Sequence, residues 1–150
     1  MSYKEFDAGH RLGLDGNVVE YARTLYDKGL VLEALLIAHE YFEQQLNAAY
    51  YRMALPGRPR TAHKRFKDSL EALRSMSRLG EEEYDKLNEF NRLRNIISNR
   101  MLDFSLSLRG AKKGDLARAM DLVPDVEGII LTLKQKAAAG KSGKAGKQKK

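Results

Sequence analysis

Between Glu81 and about Leu108 the chain places Asn88, Asn91, Asn95 and Asn99 at steps of three and four, with Arg92, Arg94 and Ser98 among them. Asparagine is a poor filler for a solvated helix face, because its amide competes for backbone hydrogen bonds and Glu, Lys, Gln and Arg extend helices better. Four of them stacked in near register imply a use. A carboxamide both donates and accepts, so such a row beside a guanidinium has the chemistry to meet a base edge, a sugar hydroxyl or a phosphate. The other chemically capable group is His39, with Glu40 beside it and Glu43 one turn on in Ala-Leu-Leu-Ile-Ala-His-Glu-Tyr-Phe-Glu. Histidine moves protons near neutral pH, although a helix histidine beside a carboxylate is also an ordinary paired residue.

The elements that would position these groups are helices. On the other side of the asparagine row, Leu87, Phe90, Leu93, Ile97, Met101, Phe104 and Leu108 recur at steps of three and four and form one apolar stripe. Glu81, Glu82 and Glu83 favour a helix start through the macrodipole, and Arg109-Gly110 ends the run. A longer apolar run lies upstream, from about Leu30 to Ala54. There Val31, Leu35, Ala38, Phe42, Leu46, Ala49 and Met53 repeat, and Leu32, Leu36, Ile37 and Tyr41 widen the stripe. A helix this broadly apolar belongs at the centre of a bundle.

Residues 1–16 hold three glycines and no sustained period, which predicts an extended arm. Asn17-Val18-Val19-Glu20 has the form of a capping box, so a first helix is expected from there to about Lys28, with Gly29 as its left-handed terminator. Pro56-Gly57-Arg58-Pro59-Arg60-Thr61 breaks the second helix and forms the main loop. Phe66, Leu70 and Leu73 then predict a short basic helix ending near Arg78, closed by Leu79-Gly80. Asp115 opens a short helix cut before Pro124, and Val126, Ile129, Ile130 and Leu133 suggest a last one. No strand pattern or internal repeat occurs. The expected architecture is all-α, an antiparallel bundle of four to five helices over residues 17–133.

Length and composition agree with one domain. A chain of 150 residues is long enough for its own core. With no cysteine and three scattered histidines, disulfide frameworks, thiolate nucleophiles and the usual zinc spacings are excluded, and no metal or cofactor is expected. The first residues are too polar for a signal peptide, and no apolar run approaches the roughly 18 residues a membrane span needs, so a soluble cytoplasmic protein is expected. The net charge of +7 has a single origin: residues 134–150 hold seven lysines and no acid, and the first 133 residues are neutral overall. Beyond Lys136 the sequence has nothing to bury and repels itself, which predicts a disordered basic tail. Its Lys141, Lys144, Lys147, Lys149 and Lys150 suit phosphates without sequence preference, or act simply as a solubilising extension. Within the neutral body, Arg58 to Arg78 carries seven basic residues against Asp68 and Glu71, and Arg92 to Arg118 seven against Asp103 and Asp115. Tyr50, Tyr51 and Arg52 offer stacking surfaces, with core packing as the ordinary alternative.

With these residues placed, the chain resembles the HEPN superfamily over about residues 17–108. The helical pair joined at Asp27-Lys28-Gly29, followed by Ala-Leu-Leu-Ile-Ala-His-Glu, is similar to the first half of that fold. The later helix is similar to the one that bears an arginine, a neighbouring polar residue and a histidine a few positions on. Arg94-Asn95-Ile96-Ile97-Ser98-Asn99 matches the arginine and the polar neighbour, and places Asn99 where the histidine stands. The resemblance implies a metal-independent ribonuclease in many members and an RNA-binding, nucleotide-binding or partner-docking module in others, with dimers whose motif helices line a shared cleft. Asn99 bears on the choice, because asparagine does not titrate and cannot replace a histidine that moves a proton.

Three readings stay open. In the first, a catalytically degenerate HEPN-like protein binds RNA or a nucleotide through Asn91, Arg92, Arg94, Asn95 and Asn99, helped by the tail. In the second, the asparagine face is a buried polar seam of a homodimer or of a complex with a protein partner, setting its register. In the third, a ribonuclease or toxin uses Arg94 and Asn99 and recruits His39 or another base.

Overall fold

The computed structural model describes residues 17–57, 64–101 and 114–147, apart from the side chains of 98–101 and 140–147. Over these residues the chain forms five helices: α1 Val18–Asp27, α2 Val31–Ala54, α3 Phe66–Ser75, α4 Glu81–Met101 and α5 Asp115–Lys147. The fold is an all-α bundle, as the periodicity predicts. Among the described residues, no helix is long and apolar enough to cross a membrane and no cluster of side chains is suited to hold a metal.

The central element is α2, which packs on α1, α3, α5 and α4. Its wide stripe explains this, since Ala34, Leu35, Ala38, Phe42 and Leu46 are all fully buried. Cross-helix contacts give the directions. Glu43 and Asn47 of α2 reach Phe66 and Lys64, while Lys67, Glu71 and Arg74 of α3 reach Asn88, Tyr84 and Glu81 of α4. So α3 runs antiparallel to both α2 and α4. Opposite it, α5 runs antiparallel to α4, pairing Asp125 with Lys86 and Arg118 with Glu89.

The helix ends follow local chemistry, with two departures from expectation. Gly29 has a φ of 86° and Leu30 N–H donates to the Leu25 carbonyl at 2.9 Å, the predicted left-handed stop for α1. The α1 start differs, because the Asn17 side chain makes no cap bond. The third helix stops at Ser75, earlier than Leu79-Gly80 suggests, because Ser77 takes the left-handed position at φ 57° and Arg78 N–H closes onto the Leu73 carbonyl. Gly80 instead precedes α4, where Glu83 reaches back to accept its N–H at 3.0 Å.

The largest correction concerns the C-terminal third. A single helix of 33 residues replaces the two short ones, with Pro124 inside it. Proline removes one backbone bond and crowds the preceding turn. The apolar stripe overrides this: Leu116, Met120, Val123, Val126, Ile130, Leu133 and Ala137 are buried without interruption across the proline. The boundary expected at residue 133 moves as well, since Ala137 is 7 % exposed and the helical backbone continues to Lys147. The arm at 1–16, and Phe104 and Leu108 of the expected stripe, lie outside the described residues.

Candidate functional site

The α4 stripe of Leu87, Phe90, Leu93 and Ile97 is buried, which fixes the rotation of the helix and hence where its polar residues go. Three residues are 300° of helix, so Asn91 lies about 60° from Asn88 around the axis. That rotation splits the asparagine row. Asn91 is 7 % exposed and turns into the α2–α3–α4 junction, whereas Asn95 is exposed and Asn88 accepts from Lys67 Nζ at 2.7 Å.

Inside the junction, Asn91 Oδ1 lies 3.0 Å from His39 Nε2, placing the proton of the neutral ring on Nε2. The imidazole stacks on Phe66, with centroids 4.8 Å apart, and lies 5.9 Å from Phe90. It is 3 % exposed. Burial is the main cause that holds its pKa below the usual 6.5. The hydrogen bond to Asn91 and the charge of Glu43 oppose that shift, and the charge of Arg94 reinforces it. A buried, neutral, aromatic-stacked imidazole fills the core of the junction and, among the described residues, presents no face on which a substrate could sit. Glu43 acts across the fold rather than on the histidine alone: its Oε1 accepts the Phe66 N–H at 2.7 Å, which caps α3 where the Arg65 side chain makes no cap bond. Asn47 Oδ1 accepts the Lys64 N–H at 3.2 Å just upstream.

The two candidate arginines have opposite environments. Arg92 forks onto Glu89, with Nε 2.8 Å from Oε2 and Nη2 2.6 Å from Oε1, and Arg118 of α5 joins the same carboxylate at 2.9 Å. These bonds, Arg92 foremost, hold the Glu89 carboxyl below the usual carboxylate range. Arg94 sits on the other flank, half-buried beside the His39 junction. Its Nη1 donates to Asn95 Oδ1 at 3.3 Å, and its Nε is buried with no hydrogen-bond partner among the described residues. An arginine donor without an acceptor is costly in a protein interior.

Of the sequence candidates, then, Arg94 and Asn95 stand together, Asn91 is turned inward onto His39, and Arg92 belongs to an ion-pair cluster with α5. Asn99 lies in the helical backbone of α4 and Lys141, Lys144 and Lys147 in that of α5, with their side chains outside the described part; Lys149 and Lys150 lie outside the described residues. Tyr51 is 7 % exposed against the Tyr50 ring, and Lys64 Nζ lies 4.8 Å from the Tyr50 centroid, so packing accounts for both tyrosines. A shallow groove of about 330 Å³ lies elsewhere, between α1 and α5, and no α4 residue lines it.

Sequence reasoning missed Glu43 as a cap, since Phe66 is 23 residues away and no local pattern links the two. The Glu89–Arg92 pair did carry a signal, its spacing of three on one helix. No family model matches the chain, and neither a curated protein nor a solved structure matches it.

Proposed function

We propose that this chain is a non-catalytic, HEPN-like RNA- or nucleotide-binding protein of the cytoplasm, working as a homodimer, in which Arg94 and Asn95 grip a phosphate and Asn99 and the C-terminal lysines extend the contact. One observation carries the reading: the buried, unpartnered Nε of Arg94, beside an exposed asparagine and with no carboxylate paired to it among the described residues. A phosphate supplies the acceptor that Nε lacks and suits guanidinium geometry. Catalysis is not part of the proposal, because His39 is buried and Asn99 does not titrate. A dimer seam through the asparagine row has weaker support, since Asn91 is occupied inside the bundle.

The test is binding of the full chain to a mixed-sequence RNA at two salt concentrations, with Arg94→Ala and with the chain shortened after Ala139. Arg94→Ala is expected to weaken binding about tenfold and to lower the salt slope by about one, and loss of the terminal lysines to act mainly on the slope. If shortening the chain abolishes binding while Arg94→Ala leaves it unchanged, the site is not at Arg94.

A further inference from the structure

The helix that bears the unpartnered guanidinium is tied to a buried histidine. His39 is tied to α4 through Asn91, and Arg94 lies one turn beyond Asn91 on that helix. The groups facing the ring come from three helices: Phe66 of α3, Phe90, Asn91 and Arg94 of α4, and Glu43 of its own α2. Of these, Arg94 and Glu43 are charged. Because Nε2–H already donates to Asn91 Oδ1, an added proton goes to Nδ1 and the link to α4 survives protonation.

We propose that anion binding at Arg94 is coupled to proton uptake by His39, so that the protein takes a phosphodiester more tightly as the pH falls. This rests on the Arg94 reading above. The guanidinium disfavours a second positive charge on the buried ring. An anion on Arg94 neutralises that repulsion and adds an attraction of its own, so the protonated ring becomes more favourable when ligand is bound. By linkage the converse holds, and protonated His39 strengthens anion binding by the same factor. The buried position makes the coupling effective, because the charges are poorly screened there.

The probe is a short oligouridylate, whose phosphodiesters and bases keep a constant charge between about pH 5.5 and about pH 8. Wild-type protein is expected to bind at least about fivefold more tightly at the acidic end. His39→Gln is expected to lose that dependence; the chain holds two other histidines, His10 and His63, so this variant assigns the effect to His39. A flat wild-type profile, or an unchanged acid dependence in His39→Gln, overturns the coupling. Arg94→Ala separates the two ideas: if it binds as tightly as wild type, the underlying site is wrong. Should His39→Gln fail to fold, NMR titration of the wild-type His39 ring answers the question. Its pKa rises when saturating oligouridylate is present, and an unmoved pKa overturns the proposal.

Discussion

Arg92 and Arg94 stand two residues apart on one helix and have been given opposite situations. Arg92 lies toward α5, where Glu89 takes two of its donors and its Oε1 also accepts from Arg118. Arg94 lies toward α2, where its Nε has no acceptor among the described residues. A step of two along a helix is 200° of rotation, enough to move from a saturated ion-pair network to an unsatisfied donor. Density of basic residues along the sequence therefore says little about where an anion can bind. The partner that each guanidinium already has decides it.

That comparison can be broken in several ways. The largest effect on stability is expected at the anchor of the Arg94 side. Asn91→Leu leaves the His39 Nε2–H buried without an acceptor, and the folded state should lose about 1–3 kcal/mol in urea denaturation. A loss below about 0.5 kcal/mol, the range of ordinary surface substitutions, would mean that the pair does not anchor the junction.

Next comes the pH dependence of folding. The folded-state pKa of His39 is lowered from 6.5, so unfolding takes up a proton that the native ring resists. Stability is therefore complete above about pH 6.5 and falls below it, by up to about 1.4 kcal/mol per pH unit, until the folded pKa is reached. His39→Gln should flatten the slope of denaturation midpoint against pH in that window. A slope of the opposite sign would place the ring in a charged, paired state.

The smallest effect is expected on the other flank. Arg92→Ala breaks an exposed ion pair within a network in which Arg118 still holds Glu89, and it should leave both the denaturation midpoint and RNA affinity near wild type. An affinity loss equal to that of Arg94→Ala would erase the distinction between the two arginines.

The helices were legible because their stripes are regular. Val31, Leu35, Ala38, Phe42, Leu46 and Ala49 of α2 and Leu87, Phe90, Leu93 and Ile97 of α4 are buried as the stripes predict, although Leu36 is exposed, and Gly29 stops α1 where a left-handed residue was called for. The stripe across Pro124 was equally regular, and giving one proline more weight than seven buried positions produced the false break in α5. The row of asparagines misled for a geometric reason. Steps of three and four alternate around a face rather than along a line, so Asn91 falls on the core side while Asn95 stays in solvent. The tertiary partners had no local signal at all: Asn91 lies 52 residues from His39, and Phe66 23 from Glu43.

The most direct measurement is of the Arg94 donor itself. Arginine Nε–H resonances of the full chain can be followed by NMR while mixed-sequence RNA is added. The account predicts that the Arg94 Nε–H shifts and becomes protected from exchange, as a new acceptor engages it, while the Arg92 Nε–H, already bound to Glu89, does not move. An Arg94 signal that stays unchanged at RNA concentrations that saturate binding would contradict it.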